Sequence, residues 1–272
     1  DPGQRDYLGK IQSSGTTLLG VVNDILDFSK IEAGKLQLEE TPFVLDKVLD
    51  HVVTFVAQKA QEKGLELLLE VAPEVPQRLV GDPLRLGQVL TNLLGNAVKF
   101  TARGDIRLRV DASAMDDCQA TLRFEVRDTG IGIPAGALEQ VFQPFHQVDS
   151  TCSRLRGGTG LGLAISQRLV TLMAGRIAVD SVPGAGSCFT VRVPLQVEPG
   201  SAQRLDPAVA ALKVLVVEDR PDTLANQLAM LQRMGVGAAG GLLSAGDGRT
   251  AMDLLAQAQD SGHPVDLLLL DW

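Results

Sequence analysis

Apolar residues at Leu8, Ile11, Leu18, Val22 and Ile25 recur by threes and fours, interrupted at Gly15, and the pattern continues raggedly to Leu38. This spacing predicts a helix with a coiled-coil-like seam. Such a helix either packs on its own domain or forms half of a dimerising hairpin, and the seam alone does not choose. After Thr41-Pro42-Phe43 a second amphipathic helix is predicted to about Lys63, then the apolar strand LELLLEV, then a helix over GDPLRLGQVLTNLLGNAVKF. Downstream the period falls to two: DIRLRVDA, TLRFEVRD, GRIAVDS and SCFTVRVPL each alternate apolar and polar positions, as strands with one buried face do. Helices on one face of a mixed sheet, an α/β sandwich, is the economical arrangement.

Residues 197–212 mix Pro, Gly, Ser and charge without a period and read as a linker. Beyond it KVLVVED reads as a short buried strand, a helix is expected over 223–234, a helical pattern follows near 249–258, and VDLLLLD reads as a second buried strand. Continuous apolar strands alternating with helices predict a doubly wound parallel sheet, here only its N-terminal half. The expected organisation is therefore 1–40 helical, 41–196 an α/β domain, 197–212 a linker and 213–272 a second, incomplete domain. Half a parallel sheet is expected to be poorly stable by itself.

At 272 residues with 45% hydrophobic content the chain can bury a substantial core. A net charge of −8 and the absence of any Lys/Arg run argue against a nucleic-acid surface or a polybasic membrane patch. No stretch approaches 18 uninterrupted apolar residues, and the first ten residues lack the layout of a signal peptide. Cys118, Cys152 and Cys188 are far apart and odd in number, which suggests neither a disulfide framework nor a zinc site and fits a reducing cytosol.

Three stretches carry candidate chemistry. Asn92, Asn96 and Lys99 are spaced i, i+4, i+7 and form one polar stripe, extended by Arg85 and Gln88; two amide oxygens and an ammonium on one face can meet Mg²⁺ and a phosphate, although a solvated face would also be polar. In TLRFEVRD the two-residue period puts Asp128 on the face of Leu122, Phe124 and Val126, where a carboxylate is costly without a partner; it is either a turn former or an acceptor for the amino group of a base. The glycines of RGGTGLGLAIS, residues 156–166, run into a helix-like segment. A dinucleotide fingerprint would need a buried strand before them, and DSTCSRLR is polar, so 146–160 reads as a glycine-hinged lid whose end offers backbone N–H groups to phosphates.

Several motifs in one order then resemble a family, the hybrid sensor histidine kinases of two-component systems. NLLGNAVKFT is similar to the family's N box, DTGIGIP to its first glycine box, VFQPFHQVD to its F box, GGTGLGLAIS to its second glycine box and PGAGSCFTV to the short glycine motif before the last strand. ILDFSKIEAGKL resembles the end of the second dimerisation-hairpin helix, and KVLVVED with LLLLDW the start of a receiver domain. The resemblance implies an ATPase domain of the Bergerat type with ATP and Mg²⁺ as cofactors. Asn96 would ligate Mg²⁺ with Asn92 supporting it, and Lys99 and Arg154 would reach the phosphates. Asp128 would bind the adenine amino group, Gly130 and Gly132 would line the base, and Gly158, Thr159, Gly160, Leu161 and Gly162 would lie at the phosphates. Phe142 and Phe145 would clamp the start of the lid. In the receiver, Glu218 and Asp219 would hold Mg²⁺ with Asp271, the phosphoacceptor.

The activity so implied is transfer of the ATP γ-phosphoryl to a histidine and on to an aspartate. The implied partners are a second copy through the helical hairpin and a receiver, phosphotransfer or response-regulator protein; the chain is expected to be cytoplasmic, with the full-length protein in a bacterial inner membrane through regions outside it. A kinase-like scaffold, or another ATPase of the same fold, is the alternative. The phosphoacceptor-histidine motif is missing: His51, His146 and His263 stand in other contexts, so this chain is expected to bind ATP without autophosphorylating.

Overall fold

The computed structural model describes residues 2–115, 118–146, 160–198 and 207–271. The helix expected from the first apolar seam is α1 (Pro2–Glu32). The α/β unit then runs β1 (Thr41–Val44), α2 (Leu45–Glu62), β2 (Glu66–Val71), β3 (Arg78–Gly81), α3 (Pro83–Phe100), β4 (Asp105–Met115), β5 (Gln119–Asp128), α4 (Gly162–Leu172), β6 (Arg176–Val182) and β7 (Gly186–Val197). Its seven strands are ordered β1-β3-β7-β5-β4-β2, with β6 also paired to β7. All these pairings are antiparallel except β2 with β4, so the sheet is mixed, as the period change implied.

Alternation in the strands becomes a one-sided core. On β5 Ala120, Leu122, Phe124 and Val126 are buried, and on β7 Phe189, Val191, Val193 and Leu195 are buried with them. Against that face pack Leu49, Val52 and Val56 of α2, Leu90, Leu93 and Leu94 of α3, and Ile165 and Leu169 of α4. The opposite face is polar: Arg123 holds Asp111 through Nε and Nη2 at 2.7–3.1 Å, and Arg107 pairs with Glu70 at 2.9 Å. Two strands, β1 and β3, have no signature in the sequence, because four residues are too few to establish a period. Their pairing, Thr41 opposite Gly81 to Val44 opposite Arg78, sets the starts of α2 and α3 at the rim of the same sheet.

The C-terminal unit comprises α5 (Pro207–Ala210), β8 (Val214–Val217), α6 (Pro221–Met234), β9 (Leu242–Ala245), α7 (Gly248–Asp260) and β10 (Leu267–Leu270). Its sheet is parallel as expected, in the order β10-β8-β9. Two details differ from the sequence reading. Strand β9 lies between the two expected helices. The linker expected through residue 212 ends sooner, because Val209 and Leu212 pack on Val214, Val216 and Leu231. The last strand, of buried type but expected to be left partly unpaired in half a parallel sheet, is exposed, with Leu267 to Leu270 at 38, 45, 36 and 59%. Among the described residues β10 pairs only with β8, while α6 packs on β8 and β2 and α7 on β8 and β9. Among the described residues no helix is long and apolar enough to cross a membrane.

Candidate functional site

The site is laid out along α3. Asp82 caps its N-terminus, accepting from Arg85 N at 3.0 Å, and also accepts from Glu39 N at 3.1 Å; Pro83 follows at the first helical position, where its missing N–H costs nothing. Seven apolar α3 residues from Leu86 to Val98 point into the core, which forces the stripe of Arg85, Gln88, Asn92, Asn96 and Lys99 outward. The stripe divides by role. At its start Arg85 and Gln88 both donate to one Asp27 carboxylate oxygen on α1, each at 2.9 Å. At its middle Asn92 Nδ2 donates to Ser166 Oγ on α4 at 2.9 Å. Asn96 is half-buried, and Lys99 places Nζ 4.9 Å from the centre of the Phe100 ring.

The far end of α3 is held by a residue that sequence reasoning passed over. Lys63, just past α2, directs Nζ at the carbonyls of Val98, Lys99 and Thr101, at 2.5, 3.2 and 3.4 Å. These include orphan acceptors of the helix C-terminus, where a cation is also favoured by the helix dipole. No spacing rule announces it, since the contact joins two helices 35 residues apart in sequence. With Lys59, Gly95 and Lys99 it lines an open groove between α2 and α3.

Asp128 closes β5 where the alternation placed it, buried at 6% exposure. Loss of hydration raises its pKa above the ordinary carboxylate value, and hydrogen bonds from the backbone N–H groups of Gly130 and Ser187 only partly offset this. Gly130 N lies 2.8 Å from Oδ1. An acid held this way is an acceptor facing the end of the sheet beside α3.

The glycines near it serve the fold's own close approaches. A Cβ on Gly132, at φ +69°, would fall 2.1 Å from Val182 O, and one on Gly130 2.7 Å from Phe100 O. Gly186, at φ +100°, touches the Asp128 carbonyl so closely that no side chain fits. The loop after Asp128 is thereby laid against the β6–β7 turn, where Ile133 N donates to Ser181 Oγ at 2.7 Å and Gly184 N to Ile131 O at 2.8 Å. Gly162 plays the same part for α4: a Cβ there would meet Asn92 Oδ1 at 2.3 Å, so α3 and α4 approach through a glycine and the Asn92–Ser166 bond.

Gly160, at φ +68°, and buried Leu161 lead into α4, and Phe145 N donates to Gly160 O at 3.0 Å, so the two ends of the segment 146–160 meet. Arg154, Gly158 and Thr159, with most of the expected lid, lie outside the described residues. Phe142 packs edge-on to Phe189 at 6.4 Å, and Phe145 edge-on to Phe28 of α1 at 6.2 Å. In the C-terminal unit, buried Glu218 accepts from Arg220 N at 3.1 Å, Asp219 is exposed, and exposed Asp271 donates its backbone N–H to Val217 O at 3.1 Å. These acids stand at adjacent strand ends, yet no group of three His, Cys, Asp or Glu side chains among the described residues could hold a metal ion. His51 is exposed on α2, and His263 contacts Ser261 O in the turn before β10.

Residues 81–197 match the family described as "Histidine kinase-, DNA gyrase B-, and HSP90-like ATPase". The chain is 48% identical over 198 residues to the signal transduction histidine-protein kinase BarA of Escherichia coli (strain K12), covering 73% of this chain and 22% of that protein. It is 47% identical over 219 residues to the sensor histidine kinase GacS of Pseudomonas protegens, covering 80% and 24%. The chain thus spans about a quarter of the length of these relatives. Among solved structures, full-length ShkA in complex with AMPPNP aligns with a TM-score of 0.66 and 33% identity over 92% of this chain and 50% of that one. Residues 81–197, which carry α3, Asp128 and α4, therefore belong to the histidine kinase-, gyrase B- and HSP90-like ATPase family, and the relatives that share them are named sensor histidine kinases.

Proposed function

We propose that this chain is the ATP-binding catalytic region of a hybrid sensor histidine kinase, donating the γ-phosphoryl group to a histidine outside it and thence to a receiver aspartate. The observation that carries the reading is Asp128, a buried carboxylate at the end of β5 whose hydrogen bonds among the described residues come from the backbone N–H groups of Gly130 and Ser187. Asp128 accepts from the adenine amino group, beside the loop that Gly130 and Gly132 lay against the Phe100 and Val182 carbonyls. Lys99 faces the phosphates, and residues 160–162 lead to the N-terminus of α4, whose dipole favours an anion. Arg154, Gly158 and Thr159 keep the phosphate roles that the family resemblance implies.

A Mg²⁺ ion fits this donor set, because Mg²⁺ retains waters and phosphate oxygens and needs few protein ligands; the Asn96 amide oxygen would hold it, with Asn92 fixed behind by Ser166. The ion supplies charge neutralisation at the phosphates. What the chain's residues contribute is positioning and electrostatic stabilisation: a bond from the histidine nitrogen to the γ-phosphorus forms as the bond to the β–γ bridging oxygen breaks, and ADP leaves. The phosphoryl then passes from nitrogen to a carboxylate oxygen, for which Asp271 is the candidate in this chain. Among the described residues the carboxylates of Glu218, Asp219 and Asp271 do not form a group that could hold a metal ion. Exposed Leu18, Val22 and Ile25 on α1 support pairing with a second copy through a helical hairpin, and membrane attachment belongs to regions outside this chain.

Calorimetric titration with a Mg²⁺-loaded non-hydrolysable ATP analogue tests the reading. Asp128→Ala and Asn96→Ala are each expected to abolish measurable binding, and an unchanged affinity overturns the assignment. Incubation with labelled ATP is expected to leave no acid-labile phosphate on the chain. Steady hydrolysis without a phosphoprotein intermediate in the longer protein would instead favour another ATPase of this fold.

A further inference from the structure

Strand β2 is the edge of the seven-stranded sheet, hydrogen-bonded to β4 alone. Leu67, Leu69 and Val71 pack toward the helix-covered core, so Glu66, Leu68 and Glu70 turn to the helix-free face. A long edge strand with an apolar residue on its open face is a surface that proteins cover or charge. Here all six residues, Leu68 included, are half-buried. The cover comes from the other unit: α6 packs along β2, and Arg220, immediately before α6, donates through Nη2 to the Glu66 carboxylate. Arg220 is itself held on its own side, because buried Glu218 accepts its backbone N–H.

We infer that the β2 edge of the ATPase sheet is a docking surface for the C-terminal unit of the same chain, covered by α6 and registered by the Arg220–Glu66 pair. The pair alone does not hold the units together, since its side chains are 57% and 29% exposed and such surface pairs contribute little. The packing of α6 along the edge supplies the adhesion, and the charges choose the register. The connection permits it within one chain. Strand β7 lies three strand spacings from β2, about 14 Å, and a stretch the length of 198–206, ahead of α5, reaches on the order of 30 Å when extended. The inference is independent of what the ATPase site binds.

Hydrogen–deuterium exchange on the intact chain tests it. Arg220→Glu is expected to raise exchange of the peptide spanning β2 severalfold, and the swapped pair Glu66→Arg with Arg220→Glu to restore it. Glu66→Gln is a milder variant in case a charge reversal fails to fold, with a smaller rise expected. In Arg220→Lys, a zero-length carbodiimide link between positions 66 and 220 is expected within single chains when ¹⁵N-labelled and unlabelled protein are mixed. Unchanged β2 exchange in Arg220→Glu and Glu66→Gln, or a link found only between labelled and unlabelled chains, overturns the inference.

Discussion

Strand β5 alternates apolar with polar residues, β10 is apolar throughout, and the two end in opposite surroundings. β5 lies between β4 and β7 under α3, and every second residue from Ala120 to Asp128 is buried. β10 is four leucines in succession, pairs with β8 alone, and is exposed throughout. Its neighbour β8, of the same length and equally apolar, is buried at all four positions because it is central. Burial is thus conferred by the number of covered sides, and an apolar run states only what a strand can tolerate.

Mutations can break that comparison. Phe124→Ala should cost about 3–5 kcal/mol in denaturant unfolding of the ATPase domain, the range for emptying a fully enclosed aromatic site. Next is a pH effect at the end of the same strand. Burial raises the pKa of Asp128, whereas an amino group donating to it favours the ionised form. The nucleotide complex therefore holds fewer protons than the free protein. Affinity is expected to fall as pH drops through the raised value, by up to about tenfold per unit, and Asp128→Asn should flatten the profile. Asp82→Ala removes the α3 cap and should cost about 1 kcal/mol, read from the same unfolding curves. Leu269→Ala on β10 should stay within about 0.5 kcal/mol, as exposed positions do. A loss there approaching that of Phe124→Ala would show that β10 is covered and dissolve the contrast.

Much of the ATPase domain was legible because its signals are periodic. The i, i+4, i+7 stripe of α3 and the two-residue phase that carried Asp128 into the core both stand in the structure. What was illegible depends on contacts distant in sequence. Ser166, which anchors Asn92, and Lys63, which closes α3, are ordinary residues on their own elements and gain a part only when helices cross. Arg85 and Gln88 continue the polar stripe in sequence, yet their partner is Asp27 of α1, so the stripe is shared between a candidate ligand site and a helix dock. The glycine boxes were legible as close approaches, while the partner approached at Gly132 and Gly162 proves to be the protein itself.

The attachment of α1 has a mechanical side. Its described side-chain contacts with the ATPase domain come at its C-terminal end: Asp27 with Arg85 and Gln88, Phe28 with Phe145, and Glu32 with Arg168. A helix from Pro2 to Glu32 is about 46 Å long, so pivoting it by about 10° on that anchorage carries the far end some 8 Å. Run in reverse, such a lever would turn a broad swing at Pro2 into an ångström-scale adjustment at Phe145, whose N–H donates to Gly160 O just before α4.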